Sequence, residues 1–437
     1  MIYNKIYAVC GRPILHSKSP QIYSLLFDSM NLPACYTRIA SDNPREILSM
    51  ADELNISGLN VTAPFKGDMY ELMNESDDDS KAVGAINTIG LHDGKKFGFN
   101  TDTFGVVVTL KQNGINLDNK NCLIVGYGNA AKAAVCGITK EWNNANICIT
   151  GRSKEKTEWL AKRYDCTTLI GNENIKPVLI ISTLPKNAFL DINRYLENCD
   201  YFMDAAYPDS LMSNEAKKFN CKIISGEEWL FNQALESFRL FTGNEILPSV
   251  QNDIKKKLLH RTQYDKKNIY LTGFSGSGKT SIGKLLSEKL GYLYFDTDKL
   301  IEERENLSIN SIFQKKGEDY FRKVEREVLE RVSKINNTVI SCGGGTLLKD
   351  DSIELVSKNG YIIWLHSKLK FCLGRINKTG KPMLNLKSDL EIEKLYNERK
   401  YLYCKSADLI VANSGEQYKP VDSIVYEIKM IKSINNS

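Results

Sequence analysis

Short apolar runs alternate along almost the whole chain with stretches in which apolar residues recur every three or four positions. The runs Ile6–Cys10, Gly58–Val61, Leu123–Val125, Ile147–Ile149, Val178–Ser182, Ile269–Thr272, Thr338–Ser341 and Tyr361–Leu365 read as strands. Strands separated by helix-period segments predict α/β domains with largely parallel sheets. The clearest break is the polar stretch Arg261–Lys267, which follows a helical pattern and precedes a fresh strand; a linker is expected there. A weaker break falls at Thr101–Asp118, where a helical stretch and an Asn-Gly turn precede a new strand. There is no internal repeat.

Length and composition narrow the class. A chain of 437 residues predicts two or three domains, and 42% hydrophobic with 25% charged residues is a globular balance. The net charge of +5 is too small to argue for nucleic acid but suits anionic substrates. No apolar run approaches the ~20 residues of a membrane span, and the first residues lack a signal-peptide pattern. The 11 cysteines are odd in number and form no Cys-x-x-Cys pair, so they read as reduced thiols of a cytoplasmic protein. With four scattered histidines a His/Cys zinc site is not expected, and acid–base chemistry falls to Lys, Asp or bound ligands. Small-molecule substrates are therefore the expected partners, without nucleic acid or membrane; homo-oligomer formation stays open.

In the second half, Gly273-Phe-Ser-Gly276-Ser277-Gly278-Lys279-Thr280 matches G-x-x-x-x-G-K-[ST] between a strand and a helix. That helix carries Ile282, Leu285, Leu286 and Leu290 at helical spacing and closes at Gly291. Glycines let backbone N–H groups turn toward a polyphosphate at a helix N-terminus. Lys279 would reach the β/γ-phosphates of ATP, and the Thr280 hydroxyl would ligate Mg²⁺. Downstream, Asp296 and Asp298 end the next strand, followed by Tyr320-Phe-Arg322 with Glu325, Ser341-Cys-Gly343-Gly344-Gly345, and Tyr396-Asn-Glu-Arg399 with Tyr403. Two arginines and a bare triple glycine suit a small anionic acceptor held by its carboxylate. Each also has a structural reading: helix caps for the aspartates, a surface pair for Arg322 and Glu325, a tight turn for the glycines.

In this order the motifs of residues 268–415 resemble shikimate kinase. The resemblance implies that Asp298 holds the shikimate hydroxyls and assists proton removal, with Lys279 as its catalytic companion on the phosphates. It also implies that Asp296 sits near Mg²⁺, that Arg322 and Arg399 grip the carboxylate, and that Gly343, Gly344 and Gly345 let the ring lie against backbone. Arg375 is similar to the family's adenine-stacking arginine. The lid departs from the family pattern, with Lys381-Pro-Met-Leu in place of Arg-Pro-Leu-Leu, which keeps charge but loses the bidentate fork.

In the first half, strand Leu123–Val125 runs into Gly126-Tyr-Gly128-Asn129-Ala130-Ala131, a dinucleotide-binding pattern. The next strand ends in Thr150-Gly151-Arg152-Ser153, offering a guanidinium where an NAD enzyme offers an acid, which favours NADP(H). Hydroxyl and amide side chains crowd the segments His16–Pro20, Asn60–Lys66, Gly84–Thr88, Asn100–Gly105 and Leu230–Gln233, as a polyhydroxylated ligand requires. Lys66 and Asp102 are the charged pair able to serve a developing alkoxide; their structural readings are a solvated lysine and a helix N-cap.

Together these segments, over about residues 5–260, resemble shikimate dehydrogenase. The resemblance implies that Ser17, Ser19, Thr62, Asn87 and Gln233 bind shikimate, and that Lys66 and Asp102 are catalytic. It further implies that Gly126, Gly128, Asn129, Ala130, Arg152 and Ser153 bind NADP(H). Gly151 stands where the family usually has Asn, and Trp229 where it usually has Met. The implied architecture is an α/β shikimate-binding domain (1–102 and 227–260), an inserted Rossmann NADP domain (103–226), a linker (261–267) and a P-loop kinase domain with a parallel sheet (268–437). The implied activities are NADPH-dependent reduction of 3-dehydroshikimate to shikimate and Mg-ATP-dependent phosphorylation to shikimate 3-phosphate, consecutive steps toward aromatic amino acids. The alternative is a quinate/shikimate dehydrogenase fused to a non-catalytic, ligand-sensing kinase-like domain.

Overall fold

Every apolar run expected to be a strand is one, with ends displaced by a residue or two: Lys5–Gly11, Ile56–Val61, Asn121–Val125, Asn146–Thr150, Leu179–Ser182, Asn268–Thr272, Thr338–Ser341 and Gly360–His366. These come from a computed structural model that describes residues 4–92, 94–169, 174–207, 209–259, 265–376, 388–416 and 418–435. The strand Ala34–Ala40 escapes the periodicity because it buries Thr37 and Arg38 among apolar residues. Leu409–Ala412, Tyr201–Asp204 and Lys222–Ile224 are further short strands outside the expected runs.

By packing, the chain falls into two units, Met1–Ala63 with Ser249–Ser437, and Pro64–Pro248. This differs from the motif-based boundaries, which keep residues 1–102 together. The physical reason lies in the first unit. There the strands lie in the order Leu293–Asp296, Thr338–Ser341, Asn268–Thr272, Gly360–His366, Leu409–Ala412, Ala34–Ala40, Lys5–Gly11, Ile56–Val61, each parallel to its neighbour. The junction is the pairing of Ile410 with Ile39 and Val411 with Ala40. Two exposed edges thereby satisfy each other's backbone groups. Of the expected linker, Asp265–Lys267 is described and packs on this unit: Lys266 Nζ meets Asp408 Oδ2 at 2.8 Å, and Lys267 N–H donates to Asn359 O.

In the second unit a six-stranded parallel sheet runs Lys222–Ile224, Tyr201–Asp204, Leu179–Ser182, Asn121–Val125, Asn146–Thr150, Thr167–Thr168. The order reverses between Leu179–Ser182 and Asn121–Val125, the crevice where a doubly wound sheet binds nucleotide. The small-residue helix Asn129–Glu141 packs on it through buried Ala131, Ala134, Val135 and Ile138. A second layer of long helices, Thr101–Gln112 and Gly226–Thr242, stands close because Gly105 has no side chain; a Cβ there would meet Gln233 Cβ at 2.8 Å and Trp229 Cδ1 at 2.9 Å.

Candidate active sites

Lys66 opens the short helix Lys66–Tyr70 and Asp102 lies in the first turn of Thr101–Gln112. The cap of the latter helix is Asn100, whose side chain accepts from Asp102 N–H, so the Asp102 carboxylate is not spent on capping. It instead accepts from Lys66 Nζ at 2.5 Å on one oxygen and from Asn87 Nδ2 at 2.9 Å on the other. Both charged side chains are mostly covered, 17% and 13% exposed. Neither solvated lysine nor helix cap describes them. Asn87 is the hub. Its amide also reaches Thr101 Oγ1 and Gln233 Oε1 at 3.0 Å each, while its carbonyl accepts Thr101 N–H at 2.8 Å.

In the first unit Ser17 and Ser19 are buried and their hydroxyls lie 3.2 Å apart. Arg38 Nη2 holds the Ser17 carbonyl at 2.7 Å. Thr62 follows the C-terminal end of strand Ile56–Val61, with its N–H on Cys10 O, and its methyl fills the space beside Gly11. His16 Nδ1 is buried and has no hydrogen bond among the described residues, and burial, then the charge of Arg38, holds its pKa below the ordinary value.

The dinucleotide loop Gly126–Gly128 leads straight from strand to helix. Gly126 has φ 123° and a Cβ there would strike Thr183 Oγ1 at 2.2 Å, so only glycine fits. Asn129 and Ala130 form the first turn of the helix, and Gly128 is open to an approaching group. Arg152 is exposed after strand Asn146–Thr150, and Ser153 caps the helix Lys154–Arg163. Gly151 is accounted for by packing: a Cβ there would meet the Tyr127 ring at 2.7 Å. Tyr127 takes the room a side chain at 151 would need.

In the phosphate loop Gly273, Gly276 and Gly278 all have positive φ, and a Cβ on Gly276 would meet Cys372 O at 2.5 Å. The Ser277 carbonyl is held by Asn413 Nδ2 at 2.8 Å. Lys279 Nζ donates to the carbonyls of Gly273 and Phe274. Thr280 Oγ1 donates to Asp296 Oδ2 at 2.9 Å, and Asp296 also caps Thr297–Glu305. A hydroxyl and a carboxylate oxygen side by side form the small oxygen donor set with which Mg²⁺ joins protein to phosphate and water. Arg375 lies at the end of helix Leu369–Arg375, its Nη2 at 3.7 Å from where a Gly415 Cβ would stand.

The three glycines gather the acceptor residues. A Cβ on Gly343 would meet Asp298 Oδ1 at 2.8 Å, and one on Gly345 would meet Arg322 Nη1 at 3.1 Å. The Gly344 carbonyl accepts from Arg399 Nη1 at 3.4 Å and from Tyr403 OH at 2.6 Å. Arg322 is no surface pair. Its Nη1 bonds Glu325 Oε2 at 2.8 Å, Glu325 being 5% exposed, and its other face bonds Glu318. Burial works against the guanidinium charge, but these two carboxylates outweigh it and raise the Arg322 pKa.

With both sites laid out, comparison with known proteins decides the family. Residues 275–429 match the family model for shikimate kinase, and residues 9–89 that for the shikimate dehydrogenase substrate binding domain. Over 165 residues the chain is 41% identical to the shikimate kinase of Sulfurihydrogenibium sp. (strain YO3AOP1), covering 37% of this chain and 98% of that protein. Over 283 residues it is 32% identical to the shikimate dehydrogenase (NADP(+)) of Nitrosopumilus maritimus (strain SCM1), covering 58% of this chain and 98% of that protein. The chain belongs to both families. The solved shikimate dehydrogenase of Aquifex aeolicus superposes with a TM-score of 0.53 at 26% identity, covering 59% of this chain and all of that one.

Seen as a dehydrogenase joined to a kinase, the chain uses several groups that the motifs do not single out. Thr101 completes the Asn87 network, and Thr346 Oγ1 orients Glu325 at 2.6 Å. Ser341 Oγ donates to Lys279 O and receives from Tyr294 OH. Their sequence signal is a place inside or beside a motif: Thr101 lies within Asn100–Gly105, and Ser341 heads the run that leads to Gly343. Lys381, the lid substitution of the kinase, lies outside the described residues.

Proposed function

We propose that this bifunctional shikimate-pathway enzyme works through the groups identified above, reducing 3-dehydroshikimate with NADPH and phosphorylating shikimate with Mg-ATP. One observation carries the reading: the chain holds a shielded Lys66–Asp102 pair and, separately, two guanidiniums and a carboxylate gathered on Gly343–Gly345 next to a phosphate loop. The functional division we adopt follows the motifs: a shikimate-binding domain of 1–102 and 227–260, an NADP domain of 103–226 and a kinase domain of 268–437.

In the reduction, bound NADPH supplies a hydride to the ketone carbon. Lys66 stabilises the charge that develops on the ketone oxygen and delivers the proton that completes the alcohol. Asp102, oriented by Asn87, holds the ammonium in place and favours its reprotonation. Asn87 and Gln233, with Ser17, Ser19 and Thr62 by motif, are the hydroxyl-binding groups. Gly126, Gly128, Asn129 and Ala130 suit the pyrophosphate at a helix N-terminus, and Arg152 with Ser153 suits the 2′-phosphate.

In the phosphorylation, Asp298 takes the proton of the attacking hydroxyl while Arg322 and Arg399 hold the carboxylate. Gly273, Gly276, Ser277 and Gly278 present their N–H groups to the phosphates, Lys279 follows the transferred group, and Arg375 flanks the base. Thr280 and Asp296 hold Mg²⁺, which when bound offsets charge on the phosphate oxygens. The test is one reaction with purified chain, 3-dehydroshikimate, NADPH and Mg-ATP. Shikimate 3-phosphate should accumulate with matching NADPH loss. NADPH oxidation without phosphorylated product would refute the kinase role.

A further inference from the structure

The last helix of the kinase part, Tyr418–Asn435, carries a glutamate whose side-chain hydrogen bonds, among the described residues, go to the dehydrogenase part. Glu427 is 1% exposed, and its Oε2 accepts two backbone N–H groups, those of Ile14 and Leu15, at 2.8 Å each. These amides lie in the connection between strand Lys5–Gly11 and helix Ser19–Ser29. The Ile14 carbonyl in turn accepts Ser17 N–H at 3.0 Å, so the peptide held by Glu427 closes the turn that presents Ser17 and Ser19. A second clamp acts on the same turn. Arg38 donates from Nη2 to Ser17 O and from Nη1 to Asp408 O, beside the paired edges of Ala34–Ala40 and Leu409–Ala412. Next to Glu427, Tyr426 lies 5.0 Å beneath the Arg12 guanidinium.

We propose that Glu427 is a positioning residue for the dehydrogenase, holding its shikimate-binding turn from within the kinase part. Packing alone does not call for a glutamate here. A buried carboxylate carries a desolvation cost that an apolar residue of similar size lacks, and the other oxygen, Oε1, has no hydrogen bond among the described residues. The return for that cost is the pair of charge-assisted bonds to Ile14 and Leu15. Burial raises the Glu427 pKa, while these backbone bonds and then Arg12 and Arg38 work to lower it.

The inference rests on the reading that Ser17 and Ser19 bind shikimate in the dehydrogenase. Full-length Glu427→Ala, Glu427→Gln, Ser17→Ala and Ser19→Ala are compared with the parent for shikimate oxidation by NADP⁺ and for shikimate phosphorylation. Glu427→Ala should raise the dehydrogenase KM for shikimate about five- to twentyfold, with kcat, the KM for NADP⁺ and the kinase constants within about threefold. Glu427→Gln, which keeps an acceptor, should give a smaller rise. Hydrogen exchange over residues 12–18 should quicken in the same order. An unchanged KM in Glu427→Ala beside a raised KM in the serine variants would overturn the inference and leave the site reading intact. Unchanged KM in all four would overturn the site reading. Equal loss of both activities in Glu427→Ala would make Glu427 a general packing residue and overturn the inference. If Glu427→Ala does not fold, Glu427→Gln decides, since unaltered exchange and unaltered KM there would refute the clamp.

Discussion

The indole N–H of Trp229 donates to the backbone carbonyl of Asp102 at 2.9 Å. Trp229 is buried on helix Gly226–Thr242 and Asp102 sits at the start of Thr101–Gln112, so one bond pins the peptide that carries the carboxylate partner of Lys66. A methionine, usual at this place in the resembled family, has no such donor. The departure seen in the sequence thus has a structural use: the Lys66–Asp102 pair is oriented from its backbone side as well as through Asn87.

An oriented pair gives a sharp expectation for Lys66→Ala. If the ammonium serves the developing alkoxide, kcat for 3-dehydroshikimate reduction should fall by roughly 10²–10⁴ with far less change in KM. Steady-state kinetics check this. A variant with kcat intact and KM raised would make Lys66 a binding residue.

Arg152 stands exposed at the end of Asn146–Thr150, with the cap Ser153 beside it. A charge-assisted contact to a 2′-phosphate contributes about 1.5–3 kcal/mol. Arg152→Ala should therefore narrow the preference for NADPH over NADH by roughly one to two orders of magnitude, read from the ratio of kcat/KM values. An unchanged ratio would place the phosphate contact elsewhere.

The two heads should part on chelation. No cluster of three or more His, Cys, Asp or Glu able to hold a metal ion occurs among the described residues, whereas Thr280 and Asp296 offer oxygens beside the phosphate loop. Excess EDTA should abolish phosphorylation and leave reduction within about twofold of its starting rate. Loss of both activities would reveal a metal requirement in the reductase.

Acid should weaken a specific contact of the first unit. Glu53, at the end of helix Pro44–Glu53, meets buried His366 at 3.0 Å and Lys368 at 2.6 Å. Burial pushes its pKa up, but the bonds from His366, Lys368 and Ser49 outweigh it and bring it down from 4.5 to about 2. A carboxylate lowered in the folded state adds stability that is complete above pH 4.5 and fades as the pH falls toward 2. Glu53→Gln should cost about 1–2 kcal/mol at pH 7, a figure reduced for partial exposure. The Tm gap to the parent should shrink steadily between pH 4.5 and pH 3. A gap of constant size would remove the ion pair as its cause.

Much of this molecule was legible in one dimension. The two phosphate-binding loops are strand–loop–helix units of contiguous residues, and their glycines answer to local φ and to close backbone approach, as at Gly126 and Gly276. Lys66, Asp102, Asn87 and Gln233 also stood out, yet only as separate motifs. The competing structural readings of Asp102 and Lys66 fell away once Asn100 proved to be the cap and Lys66 proved to be covered. The same holds for Arg322, which looked like a surface partner of Glu325 until it was found mostly covered beside Gly345, with Glu325 buried next to Gly343.

What sequence alone determined, then, is the kind of each element and the chemistry of each loop, because periodicity, φ preference and side-chain charge are properties of neighbours along the chain. What only the tertiary structure decided is which distant elements share an edge or a hydrogen bond. Ala34–Ala40 pairs with Leu409–Ala412 through backbone groups that every residue possesses, so no residue pattern announces it. Glu427 reaches Ile14 across 413 positions, and a glutamate in a helix reads as solvated until the fold removes its water.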